Sequence, residues 1–225
     1  MERHPTILLF DIDGTLITTG GMGRGAIERA VAEVLGRPSA PFSFSFGGMV
    51  DPVIVGQGLS SLGIATTPDL IERILSRYLE VLREEVSRAP VYAVHDGVQQ
   101  VLDQVSGLAG VAVGLGTGNV EEGARIKLER VGLNRYFAFG GYGSDAAERP
   151  ALIRRGAERG ASRRVRVRCP ESRSACAVPH LPGRCVLPLL AHPGVERRLC
   201  AHAELETLPS ANSTVWPIAC ASHFD

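Results

Sequence analysis

Two aspartates two positions apart, Asp11 and Asp13, follow the short apolar run Ile7 to Phe10. The run reads as a buried strand that stops at a carboxylate, and Asp13-Gly14 supplies a turn immediately after it. Open α/β sheets place their chemistry at the carboxyl ends of strands. One carboxylate at the strand end and one on the turn beyond it can approach a single substrate atom from different sides. A carboxylate needs no activating base at neutral pH to attack phosphorus and form an aspartyl-phosphate. A second carboxyl can protonate the leaving oxygen and then activate water. Asp11 is therefore the candidate nucleophile and Asp13 the candidate acid and base. Gly14 lets the backbone turn close to a bound phosphate, and Thr15 can brace that turn through its hydroxyl. The plain alternative is an Asp-Gly turn after an ordinary strand.

Other elements must hold such a pair in place. Val111 to Leu115 reads as a second apolar strand, entering Gly116-Thr117-Gly118-Asn119 and then a helix from Val120 to Val131. Small residues and a hydroxyl before a helix N-terminus form a ready anion site, because free backbone N–H groups point outward there. Thr117, Gly118 and Asn119 are thus candidate phosphate contacts. The glycine spacing at 114, 116 and 118 does not match a dinucleotide fingerprint, which also requires an acidic partner that is missing. Tyr136 to Phe139 is expected to start a third strand, and Arg149-Pro150 to open a helix from Ala151 to Arg159.

Between the first two strands lies a stretch with a different pattern. Thr18-Thr19-Gly20-Gly21 and Gly23 form a flexible connection suited to a hinge or flap. Ala26 to Leu35 reads as a helix with Ile27, Val31, Val34 and Leu35 on one face, and Pro52 to about Leu62 as a second. Phe42, Phe44 and Phe46 alternate with serines, but Pro41 and Gly47-Gly48 bracket them, so the segment is expected to be a loop. Thr67-Pro68-Asp69 opens the clearest helix, and its apolar residues from Leu70 to Val86 keep a helical period. Tyr92 to Gly97 then returns the chain to the strands, and Val98, Val101, Leu102 and Val105 make one further helix face.

The segment Asp11-Ile12-Asp13-Gly14-Thr15-Leu16, after its apolar strand, resembles the first motif of the haloacid dehalogenase-like superfamily. Thr117 at the end of its strand resembles the second motif. The helical insert directly after the first motif resembles the cap of phosphoglycolate phosphatase-like members, with Gly48-Met49-Val50-Asp51-Pro52 similar to their cap segment. Val50 stands where those members often have Thr. The resemblance implies a doubly wound parallel α/β sheet with a core at 1–18 and 91–160 and a helical cap at 19–90. It also implies magnesium bound by the Asp11 carboxylate and the Asp13 backbone carbonyl. Asp13 favours a phosphatase or phosphomutase, since true dehalogenases lack it. The third motif is usually Lys, often followed by Pro, and Arg149-Pro150 occupies that place. A cation there would offset charge on the phosphoryl oxygens, and arginine supplies it with different geometry. Lys127 is the alternative, but a lysine within a helix is more ordinarily on the solvated surface, so Arg149 is favoured. Asp51 is the candidate substrate residue of the cap, or simply a charged helix start.

The fourth motif, an apolar strand ending in Gly-Asp with a further acid, is missing. After Asp145 the only aspartate is Asp225, so Asp11 and Asp13 would hold magnesium weakly. From about residue 161 the chain turns rich in Arg, Cys, Pro and His, and prolines such as Pro179, Pro188 and Pro217 interrupt candidate elements. This tail, 161–225, reads as an out-of-frame translation lacking the last two or three strands, with a divergent partner-binding segment as the competing reading. All five cysteines lie in it, without Cys-x-x-Cys spacing. The formal net charge of zero and the absence of a basic stripe speak against nucleic acid and anionic membranes as partners. No secretory core follows Met1, so the cytoplasm is the expected location. The expected activity is magnesium-dependent hydrolysis of a small phosphorylated metabolite through an aspartyl-phosphate. The alternatives are a phosphomutase, or a non-catalytic remnant or binding protein.

Overall fold

Thr6–Phe10 forms strand β1 and Val111–Gly116 forms β4, paired parallel so that Phe10 lies beside Leu115. Asp11 and Thr117 therefore leave the same edge of the sheet as neighbours. The computed structural model describes residues 6–163 and the backbone of residues 214–218. Gly140–Gly141 (β5) and Thr214–Ile218 (β6) complete a parallel four-stranded sheet in the order β5-β4-β1-β6. β1 is apolar on both faces. Phe10 packs with Leu102 of α4 (Val98–Ser106) and with Ala124 and Leu128 of α5 (Glu121–Glu129). Ile7 and Leu9 pack instead with Ala157 of α6 (Arg149–Ser162). Helices thus cover both sides of a parallel sheet, which is why its strands read as continuous apolar runs.

One sequence expectation about the sheet is corrected. The third strand does not begin at Tyr136: Leu133–Tyr136 is a 3-10 turn, and the strand is only Gly140–Gly141. Phe137 and Phe139 are buried as core side chains, while the two glycines pass directly beneath α6. A Cβ on Gly141 would lie 1.8 Å from the Leu152 carbonyl oxygen. The last two or three strands of the core are expected to be missing or irregular, and the tail contributes one short strand, β6, among the described residues. Thr214, Val215 and Ile218 favour extended backbone, and Pro217 is tolerated because β6 lies at the sheet edge among the described residues. The other residues of the tail lie outside those described.

Residues between β1 and β4 leave and re-enter the core through a two-stranded antiparallel sheet. In it Ile17–Thr18 (β2) pairs with Ala93–Val94 (β3), Ile17 opposite Val94. Beyond it, α1 (Met22–Val34), α2 (Asp51–Ser61) and α3 (Pro68–Arg88) form the helical cap. The cap has its own apolar centre, including Ile27, Val31, Ile54, Leu59, Ile74 and Leu82. The Phe42–Phe46 segment is a loop as expected, and Phe42 lies over Gly58 where any Cβ would strike its ring. Thr67 caps α3, its hydroxyl accepting the Leu70 N–H at 3.2 Å, with Pro68 in the first turn. Thr67→Ala leaves that N–H without its protein partner and is expected to cost about 1 kcal/mol. A thermal melt should read this as a fall of roughly 2–4 °C, and an unchanged melt would show that the cap adds nothing. No described helix is long and apolar enough to cross a membrane.

Candidate active site

The turn after β1 is built around Ile12, whose carbonyl accepts the N–H groups of Leu16 at 2.9 Å and Ile17 at 3.1 Å. Gly14 sits in this turn at φ 73°, a left-handed conformation that favours glycine. The turn presents both aspartates to one cleft. Asp11 is fixed by the Ile12 N–H, which donates to its Oδ1 at 2.8 Å, and by the Arg149 guanidinium from the first turn of α6, which donates to its Oδ2. Asp13 is held by a different cation. Lys127 Nζ lies 2.9 Å from its Oδ1 and 2.8 Å from its Oδ2, and donates also to Asn119 Oδ1 at 2.7 Å. The Asn119 Nδ2 group donates to Asp13 Oδ2 and to Thr117 Oγ1, each at 2.8 Å.

Lys127 is therefore not a surface lysine, and that expectation is corrected: it is 3% exposed. Its helix turns the same face inward at Ala124 and Leu128, and Gly23 of the cap leaves it room. A Cβ there would lie 3.1 Å from Nζ. A lysine flanked by core positions was the available signal. Both candidate cations are thus at the site, Arg149 on Asp11 and Lys127 on Asp13.

Asp51, the first residue of α2, joins cap to core. Its Oδ2 accepts the Val120 N–H at 2.9 Å, and its own N–H donates to the Gly118 carbonyl at 2.9 Å. A carboxylate of the cap thus occupies the start of α5, where an anion was expected. The Asn119 N–H faces Thr117 Oγ1 at 3.3 Å. Thr117, Gly118 and Asn119 all line the cleft, but Gly118 is engaged through its carbonyl and Asn119 through its side chain. The cleft between cap and strand ends has a volume of about 540 Å³, and Asp11, Asp13, Asp51, Tyr78, Lys127 and Arg149 line it. Tyr78 falls within the apolar period from Leu70 to Val86 of α3, and nothing in the sequence gives it or Arg24 a role of its own. Both line the cleft.

The charges are organised unequally. Burial pushes the Asp13 carboxyl up, but the Lys127 charge and the hydrogen bonds from Asn119 and Lys127 outweigh it and hold the group below the usual carboxylate range. Asp51 goes the other way. Burial pushes it up to about 6, with Lys127 and the Val120 N–H opposing and the Asp13 charge adding. Because this folded value is raised, the stabilisation is complete below the ordinary carboxylate value and is lost as pH climbs through about 6. Asp51→Asn keeps an oxygen for Val120 but cannot titrate. Its stability relative to the native chain is expected to rise by up to about 3 kcal/mol between pH 4 and pH 7. Melting curves across that range check this, and parallel curves would refute it.

The donor set can be weighed for magnesium. Among the described residues no cluster of three His, Cys, Asp or Glu side chains is positioned to hold a metal. Asp11 and the Asp13 carbonyl offer two oxygens, the minimum of a pattern in which magnesium takes one or two carboxylates plus water and substrate phosphate. Asp11, whose two oxygens here accept the Ile12 N–H and Arg149, is the single carboxylate such a site would use.

No protein-family model matches the chain, and no curated protein matches its sequence. Solved structures do match in shape. The chain is similar to CbbY from Rhodobacter sphaeroides in complex with phosphate, at 18% identity over 68% of this chain and 72% of that one, with a TM-score of 0.52. It is similar to an aspartate-to-asparagine mutant of CbbY in complex with xylulose-(1,5)bisphosphate, at 17% identity over 68% and 72%, TM-score 0.52. A hydrolase from Pseudomonas syringae matches at 15% identity over 71% and 72%, TM-score 0.51. At these identities the likeness is one of fold. The chain has the capped parallel-sheet architecture that its resemblance to haloacid dehalogenase-like proteins implied.

Proposed function

We propose that the chain hydrolyses small phosphate monoesters through an aspartyl-phosphate on Asp11. The observation that carries this reading is the pair Asp11 and Asp13 at one strand end beneath a cap, each already matched to its own cation. An Asp11 oxygen forms a bond to phosphorus as the ester P–O bond breaks, and Asp13 delivers a proton to the leaving oxygen. Water then attacks the phosphorus and gives its proton to Asp13, releasing phosphate and restoring Asp11. At rest Lys127 keeps Asp13 ionised. The negative charge of an arriving phosphate raises its proton affinity and prepares it to act as the acid. In this reading Arg149 and the Thr117 hydroxyl steady the phosphoryl oxygens. Magnesium, when held by Asp11 and the Asp13 carbonyl, supplies further positive charge toward those oxygens.

The cap closes the cleft from bulk water during the first half-reaction. The fold shared with CbbY, which is solved with a sugar bisphosphate, supports a small phosphorylated metabolite as the substrate. The test is turnover of p-nitrophenyl phosphate by the full chain in magnesium. We expect phosphate release that falls at least about tenfold on chelation with EDTA and returns when magnesium is restored. No release under any of these conditions would overturn the phosphatase reading and favour a binding protein that keeps the fold.

A further inference from the structure

Tyr78 is fully buried on α3 and its ring packs in the apolar centre of the cap. A tyrosine there would usually serve packing alone, but a core tyrosine hydroxyl finds a partner when buried. This one has none among the described residues. Tyr78 also lines the cleft, together with Asp51. Burial pushes the phenol well above its ordinary range, and the Asp51 and Asp13 charges, close enough to act on it, push further. The group is therefore a permanent O–H donor in the company of a carboxylate. An ionised carboxylate only accepts, and it has capacity beyond the single bond Asp51 makes to Val120. A ligand hydroxyl both accepts and donates, so it can satisfy the two groups at once.

The cations of the cleft argue in the same direction. Lys127 is bound to Asp13 and Arg149 to Asp11. Arg24, the remaining one among the described lining residues, donates to Glu28 and to the carbonyls of Phe42 and Phe44. None is left for a second anionic group, and a carboxylate beside Asp51 would meet like charge. We infer that Tyr78 and Asp51 are the specificity-determining pair of this cleft, and that they select phosphate monoesters carrying a hydroxyl and no charge beyond the phosphate. The inference rests on reading the cleft as a phosphate-ester site. It separates polyol and sugar monophosphates, which fit, from phosphorylated carboxylic acids, which do not.

The test is calorimetric binding to the full chain in magnesium buffer, with glycerol 3-phosphate, propyl phosphate and phosphoglycolate as the three ligands. The expected order is glycerol 3-phosphate tightest, by about tenfold over propyl phosphate, with phosphoglycolate weakest. In Tyr78→Phe, which keeps the ring and is checked by its melting curve, the gap between the first two should shrink to about twofold. An unchanged gap in that variant, phosphoglycolate as the tightest ligand, or no binding of any of the three overturns the inference. The order in the native chain tests it even if the variant fails to fold. Because the measurement is of binding, the expected order without any turnover would remove the phosphatase reading and leave this one standing.

Discussion

Replacing Asp11 by Asn is expected to lower kcat on p-nitrophenyl phosphate by about 10³-fold or more, because the amide cannot form the phosphoenzyme and nothing else at the strand end can take its place. Lys127 holds Asp13, and that carboxylate is needed for proton transfer. The substitution is structurally mild. Asn keeps an oxygen for the Ile12 N–H, and the lost ion pair with Arg149 joins partly exposed side chains, 16% and 27% accessible, so the stability cost should be on the order of 1 kcal/mol. Steady-state rates and a melting curve on the same preparations make the comparison. A folded variant keeping a tenth or more of native activity would rule out Asp11 as the nucleophile.

Gly141→Ala is expected to destabilise the chain by about 3 kcal/mol or more, among the larger effects a single methyl can produce. The added Cβ would stand 1.8 Å from the Leu152 carbonyl oxygen, 2.7 Å from its carbon and 3.0 Å from the Gly156 nitrogen. These are backbone atoms of α6 and cannot rotate away. The helix would have to lift off the sheet, and a Cβ on Gly156 would meet the Gly141 nitrogen at 2.8 Å from the other side. Urea unfolding should show the loss, and the melt should fall by roughly 10 °C. Since α6 carries Arg149, whatever displaces the helix also takes the cation from Asp11. A variant within 1 kcal/mol of the native chain would mean that helix and strand are not in close contact.

Where sequence reading succeeded, local signals and tertiary environment agreed. The apolar run into Asp11, the threonine cap at Thr67, the period from Leu70 to Val86 and the strand into Thr117 each name their element without help from distant residues. It failed where a residue's role is set from across the fold. Lys127 reads as a surface lysine until α5 is laid against Asp13 and the side-chain-free Gly23. Tyr78 has an apolar periodicity that hides its hydroxyl, and the position of that hydroxyl depends on where the cap meets the core. The third strand was misplaced because Phe137 and Phe139 carry strand propensity, whereas contact with α6 selects the two glycines that follow. β6 escapes a local reading because Pro217 and the proline-rich sequence before it suggest no element, yet the edge of β1 opposite β4 accepts it.

The pairing of β2 with β3 has a consequence for how the molecule comes apart. Once Ile17–Val94 and Thr18–Ala93 are joined, the ends of the intervening segment are already together. The entropy of closing that loop is then independent of whether its helices are formed. The cap's apolar centre, which takes in Val120 at the start of α5, is otherwise separate from that of the sheet. It should therefore open as a cooperative unit while the sheet stays protected, so that amides of α1 and α3 exchange with solvent by a sub-global route and those of β1 and β4 only on complete unfolding.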